Sequence, residues 1–390
     1  MAKIVFLDYN IDQAGGVEMV ISELANRMCG RNEVTVISRM RTKEEPFFRY
    51  DEKVKKIYQI DERKNRTNAF KEKNLSYYAL RFGWKIKEKI AKYNPSANIM
   101  KEIKNADVIV FARIPVFLDF RKKLKAVKKN QKIIVRDALH YYSLSDKQRT
   151  AFIESLNNSI DYFVVSSEEL KAKYIQSLGR KHKVKIVKIY NPCRAKKNSA
   201  KKQNYITWIG RISEEKGVKY LVEAFSRIEQ NYDWELRIYG DGTASEEVRK
   251  IIKDRKIENR VKMIGFTSDV DKTLEESKIF VLPSRTEGYA NALVEAMFHG
   301  CACITFDWLM GASEIINDGI NGKIVHLKDA KEYHDTGKLH ASDVRNISET
   351  IEELMRNEKE IEKLSKEARK IKDTREGDKI ISEWEKLVKS

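Results

Sequence analysis

Two carboxylates eight positions apart, Glu287 and Glu295, bracket the start of a helix pattern. Ahead of them the apolar run Ile279-Phe280-Val281-Leu282 is closed by Pro283, as a buried strand would be. Behind them Ala292, Leu293, Ala296 and Met297 recur at helical spacing. The joint therefore presents Glu287, Gly288 and the amides of a helix N-terminus together. Such a terminus favours anions, because its first amides lack intrahelical partners and the helix dipole is positive there. A ligand lying along it could meet both glutamates. An ordinary strand–loop–helix joint with two surface glutamates would give the same spacing, so the rest of the chain has to decide.

Cations recur at a comparable place. The strand pattern Tyr205–Ile209 runs into Gly210-Arg211-Ile212-Ser213-Glu214-Glu215-Lys216-Gly217. Arg211, with its fork of donors, and Lys216, as a point charge, can converge on one phosphate-bearing ligand there. Alone, they could equally be solvated surface cations. Gly15-Gly16 follows the first strand pattern, Lys3–Tyr9, and precedes a helix with Val20, Ile21, Leu24, Ala25 and Met28 on one face. A double glycine lets the backbone turn tightly and approach a ligand, but it is also what a plain turn uses, and it is not the dinucleotide fingerprint. His140 sits in Arg136-Asp137-Ala138-Leu139-His140, beyond the strand pattern Lys132–Val135, where open α/β sheets place their ligands. A structural histidine would read the same way.

The elements that position these groups alternate strand and helix throughout, which predicts parallel α/β sheets. Further strands are expected at Val34–Ile37, Val108–Phe111, Tyr162–Val165, Lys185–Tyr190, Glu235–Tyr239, Val261–Ile264 and Cys301–Phe306. The pattern restarts after the polar, basic tract Arg194–Gln203, giving an N-terminal domain over 1–192, a linker over 193–203, a second domain over 204–372 and a terminal helix over 373–390. At 390 residues, two domains of ordinary size fit. The net charge of +18 is uneven: residues 1–202 hold 45 Lys and Arg against 22 Asp and Glu, and residues 203–390 hold 31 against 36. The two halves should face different partners, an anionic one for the first. Residues Leu75–Ile90 mix aromatic and basic side chains at helical spacing, as a helix touching an anionic bilayer would, or a core helix with a basic outer face. No window reaches the ~20 apolar residues of a membrane span. Neither a signal peptide nor a zinc or disulfide spacing of Cys29, Cys193, Cys301 and Cys303 is visible, which points to the cytoplasm.

Taken in order, Gly-Gly-Val-Glu, Gly-Arg-Ile-Ser-Glu-Glu-Lys-Gly, Gly240-Asp241-Gly242, Glu287 with Glu295, and Asp318-Gly-Ile-Asn-Gly322 resemble the retaining, nucleotide-sugar-dependent glycosyltransferases of family 4. The resemblance is closest over 204–325, weaker over 1–40 and faint over 41–130. It implies the GT-B fold: two Rossmann-like domains whose parallel sheets face across a cleft, with the C-terminal helix returning to the first. It also implies that the second domain binds the sugar nucleotide and the first the acceptor. Residue by residue, Arg211 and Lys216 would neutralise the donor diphosphate, helped by the backbone of Gly15 and Gly16. Glu287 would meet hydroxyls of the transferred sugar, and the amides of Gly288, Tyr289, Ala290 and Asn291 would hold sugar and phosphates. Glu295 would bind the ribose, Phe266 would lie where the backbone meets the base, and His140 would reach the donor sugar. Asn291 and Ala312 depart from what many members carry, which leaves the sugar open.

The activity so implied is transfer of a hexose or N-acetylhexosamine, from a UDP-sugar in the first instance, to a lipid-linked, polysaccharide or teichoic-acid-type acceptor. The enzyme would be peripheral at the inner face of the cell membrane. Gly240-Asp241-Gly242 is not an Asp-x-Asp metal signature, and neither a metal nor a cofactor is expected. A protein acceptor with no membrane role is the alternative. A basic nucleic-acid-binding α/β protein is a remote one, since no nucleic-acid motif is present and no nucleic-acid partner is expected.

Overall fold

A computed structural model describes residues 1–63, 95–124, 131–137, 144–156, 159–178, 183–193, 200–229, 231–267, 269–307 and 311–390. His140, the Leu75–Ile90 stretch and most of the Arg194–Gln203 tract lie outside the described residues. The chain forms two compact units, Met1–Pro192 with Gly377–Ser390, and Cys193–Glu376.

The first unit is built on strands β1 (Lys3–Asp8), β2 (Glu33–Arg41), β3 (Lys55–Asp61), β4 (Val108–Phe111), β5 (Lys132–Arg136), β6 (Tyr162–Val165) and β7 (Lys185–Lys188). They pair in parallel in the order β3-β2-β1-β4-β5-β6-β7. β1, β4 and β6 are buried almost throughout, which is why they read as continuous apolar runs rather than as alternation. Helix Gly16–Met28 buries the face its spacing predicts, Val20, Ile21, Leu24, Ala25 and Met28. Ser167 caps helix Glu168–Leu178, its Oγ accepting from the Leu170 amide at 3.0 Å.

The last helix, Gly377–Lys389, belongs to this unit. Ile380, Ile381, Trp384, Leu387 and Val388 enter the core formed by β1, β2 and helix Gly16–Met28. Its C-terminal carbonyls are held by a buried-side cation: Lys132 Nζ donates to Leu387 O at 2.7 Å and to Val388 O at 3.0 Å. A cation there also opposes the negative end of the helix dipole.

The second unit holds β8 (Gln203–Ile209), β9 (Glu235–Tyr239), β10 (Val261–Gly265), β11 (Ser277–Leu282), β12 (Ala302–Phe306) and β13 (Lys323–Val325). Their order is β10-β9-β8-β11-β12-β13, again parallel. The unit starts at Cys193 and runs on to Glu376 rather than stopping at 372. The reason is local: Cys193 is buried in this unit's core, its amide donates to Arg375 O at 3.3 Å, and Arg375 is itself buried. Two strands, β3 and β13, were not expected from the sequence. Both are edge strands, and neither carries the continuous apolar run of a central one.

A buried ionic staple braces this unit beneath the glutamate pair. His299 closes the helix Asn291–Phe298 and is 1% exposed. Its Nδ1 lies 2.7 Å from Glu275 and its Nε2 3.0 Å from Asp271, both on the neighbouring helix Val270–Glu276. Arg369 also lies against it, donating from Nη2 to His299 O at 3.3 Å. Burial opposes charging the ring, but the bonds to Asp271 and Glu275 outweigh it and raise the histidine above its ordinary 6.5. A histidine raised in the folded state stabilises fully below its unfolded value and loses that contribution as pH climbs through the folded one. Thermal unfolding should therefore show His299→Gln costing about 2 kcal/mol near pH 6 and progressively less as pH rises. A penalty that stays constant from pH 6 to 9 would contradict the charged staple.

Candidate functional site

β8 and β11 are adjacent in the second sheet, so the loops leaving their C-terminal ends emerge side by side. Pro283 ends β11, and the chain from Ser284 to Ala290 then runs without regular structure into helix Asn291–Phe298. From β8, the chain reaches a short 3-10 turn, Glu214–Lys216. Gly217 follows with φ at +65°, and a Cβ there would sit 2.0 Å from Pro283 O and 2.6 Å from Tyr333 OH. Only glycine lets the two loops close this far. The Arg285 amide donates to Glu215 O at 2.8 Å, and Tyr333 OH donates to Pro283 O at 3.0 Å, which lock the loops together.

The result is one polar centre. Lys216 Nζ donates to both oxygens of Glu287, at 2.8 and 2.9 Å. Ser284, fully buried, donates from Oγ to Glu287 Oε1 at 2.6 Å. The Glu287 side chain is 10% exposed and that of Lys216 23%, so the pair opens to solvent on the lysine side. Just upstream, burial pushes the Glu215 carboxyl up, but the Ser213 hydroxyl, its own backbone amide, Arg211 and Lys216 bring it below the ordinary carboxylate value.

The other expected residues fall as follows. Gly288, Tyr289, Ala290 and Asn291 form the approach to the helix, and Ala290 occupies the cap position without a capping oxygen. Glu295 lies one turn further along the same helix and is part-exposed. Arg211 is exposed on the β8 loop and makes no hydrogen bond to the Lys216–Glu287 pair among the described residues. Phe266, 66% exposed, follows the edge strand β10.

Gly15 and Gly16 belong to the first unit. Gly15 has extended backbone, φ −122°, and a Cβ on it would lie 2.2 Å from Glu18 Oε2. The group that requires the missing side chain here is thus Glu18, which is buried. Burial raises its carboxyl, Asp8 pushes the same way, and Arg113 counters by donating to it. Arg113 also binds Asp8, Nε to Oδ1 at 2.8 Å and Nη2 to Oδ2 at 3.1 Å. Arg136 and Asp137, read from the sequence as the start of a ligand cluster, are buried: Arg136 Nη2 donates to Asn191 Oδ1 at 2.8 Å and Asp137 accepts from Tyr174 OH at 2.7 Å. Burial draws the Arg136 guanidinium down to about 10. Sequence reasoning passed over Glu18, Arg113 and Ser284. Glu18, in Gly-Gly-Val-Glu, was readable as a charge on the inward face of a helix; the other two become visible only in three dimensions.

Residues 191–371 match the family described as Glycosyl transferases group 1. An uncharacterized glycosyltransferase of Haemophilus influenzae is 26% identical over 395 aligned positions, covering all of both chains. A poly(glycerol-phosphate) alpha-glucosyltransferase of Bacillus subtilis is 27% identical over 177 residues, 45% of this chain and 24% of its own, so the chain matches about a quarter of that relative's length. The crystal structure of Anabaena HepE in complex with UDP and glucose superposes with a TM-score of 0.73 at 15% identity, covering 100% of each chain, a likeness of fold. The matched family segment contains Lys216, Glu287 and Glu295, all of them on the second sheet's C-terminal edge. The match of residues 191–371 to the group 1 glycosyl transferases and the full-length likeness to a glycosyltransferase support a transferase enzyme, and the fold is GT-B.

Proposed function

We propose that the enzyme is a retaining glycosyltransferase that takes a hexose or N-acetylhexosamine from a UDP-sugar without a divalent cation. Its acceptor is a lipid-linked, polysaccharide or polyol-phosphate glycan reached at the cytoplasmic membrane face. The observation that carries the donor half is the Lys216–Glu287 pair at 2.8 and 2.9 Å, set where a helix begins beneath a cap residue with no side-chain oxygen.

In this reading the sugar's anomeric carbon loses its bond to the diphosphate and gains one to the acceptor oxygen on the same face. The acceptor hydroxyl proton passes to the departing phosphate oxygen. Negative charge grows on that oxygen as the bond breaks. Lys216, Arg211 and the positive helix end at Asn291 would stabilise it, the task a metal performs in other transferases. Glu287, fixed by Ser284, would turn from Lys216 toward sugar hydroxyls, and Glu295 would take the ribose. Neither glutamate is assigned as a covalent nucleophile. HepE crystallised with UDP and glucose, and the Bacillus subtilis relative is named for glucosyl transfer to poly(glycerol phosphate), which favour a UDP donor and an anionic glycan acceptor. The excess of 45 Lys and Arg over 22 Asp and Glu in residues 1–202 suits such an acceptor and an anionic membrane surface. No described helix is long and apolar enough to cross a membrane, so contact would be peripheral.

Lys216→Ala and Glu287→Gln should each lower kcat/KM for UDP-sugar turnover about 100-fold or more, with the melting temperature of the free enzyme held within a few degrees. Full activity in both variants would remove the proposed site. Turnover should be unchanged by EDTA; loss of activity restored by Mg2+ or Mn2+ would overturn metal independence. Flotation with anionic vesicles at low salt should carry the protein upward and fail at high salt. Protein remaining at the bottom under both conditions would remove the membrane clause.

A further inference from the structure

The proposed donor loop has to present a row of amides, yet between Pro283 and Asn291 it lacks the hydrogen-bond ladder of a strand or helix. Part of what sets its shape is Tyr289. Its backbone carbonyl accepts from the Asn291 amide at 2.8 Å, and its ring packs against the second unit's core. Its hydroxyl accepts from Arg375 Nε at 3.0 Å. Arg375 is 4% exposed and is placed in no catalytic or binding role. The same guanidinium donates from Nη2 to Glu314 O at 3.2 Å, in the 3-10 turn Ala312–Glu314 that follows β12. Its own carbonyl accepts from the Cys193 amide at 3.3 Å.

One buried side chain therefore joins the loop after β11, the turn after β12 and, through its backbone, the first residue of the unit. A planar guanidinium offers donors in fixed directions, so it can hold a phenol oxygen and a carbonyl in one geometry. Lysine, a single point donor on a flexible stem, cannot hold both at once in the same way. We infer that Arg375 is a positioning residue for donor binding, acting through the Tyr289 hydroxyl to fix the amides of Gly288–Asn291. The inference rests on the donor reading above.

It separates from a merely structural role by what is lost. Tyr289→Phe removes only the hydroxyl and keeps the ring in the core. Losing one aimed hydrogen bond should raise KM for the sugar nucleotide about tenfold, with kcat within about threefold and the free protein's melting temperature unchanged within about 2 °C. Arg375→Lys should raise the same KM, and the double variant Tyr289→Phe/Arg375→Lys should add less than the sum of the two, because both break the Tyr289–Arg375 bond. Steady-state turnover of UDP-glucose, alongside isothermal titration with UDP-glucose, reads these outcomes. Additive effects, or a fall in kcat and melting temperature with KM unchanged, would show that Arg375 holds the fold and not the loop. Wild-type KM in Tyr289→Phe would also overturn the proposal. Should the wild-type protein bind and turn over no sugar nucleotide, it is the donor reading that fails.

Discussion

The second unit depends on bringing a lysine from one strand's loop onto a carboxylate from its neighbour's. Lys216 and Glu287 are 71 positions apart in sequence, and they meet because β8 and β11 pair in parallel. Closing the remaining distance requires Gly217, whose added Cβ would collide with Pro283 O. It also requires the Tyr333 hydroxyl on that same carbonyl and Ser284 on the carboxylate. Desolvating two charges is costly unless each is paired and the remaining lone pairs are satisfied. Here both Glu287 oxygens are bonded, while Lys216 keeps a route to solvent. The pair is thus a stable resting arrangement for a site proposed to receive an anion.

The two units treat charge in different ways. In the second, the polar groups at the strand ends are part-exposed and turned toward a loop and a helix start. In the first, the corresponding edge is buried: Arg113 bridges Asp8 and Glu18, and Arg136 donates to Asn191. That division fits a chain whose second unit holds a defined small ligand and whose first meets a larger anionic partner.

Much of the fold was legible because parallel sheets covered on both faces make apolar runs of strand length, as β1, β4, β6 and β11 do. β3 escaped notice because, at the sheet's edge, it opens on two exposed lysines and buries only Ile57. β13 has only three residues. At the site, Lys216 and Glu287 were readable from glycine-flanked loops at strand ends, since local chemistry and chain order mark such places. Ser284, Arg375, Arg113 and His299 were not. Each acts through a partner that is distant in sequence or lies around a turn, and no local pattern encodes such a pairing. Gly15 shows the converse: its type was informative, but the neighbour that requires it is Glu18, within its own helix.

The most direct measurement is a crystal structure of the enzyme with UDP and the sugar bound. The account predicts the diphosphate within hydrogen-bonding reach of Lys216 and the amides of Gly288–Asn291. Glu287 should be turned from the lysine to sugar hydroxyls, and Glu295 should lie on the ribose. A nucleotide whose phosphates lie away from residues 284–291, with Lys216 still on both Glu287 oxygens, would contradict it.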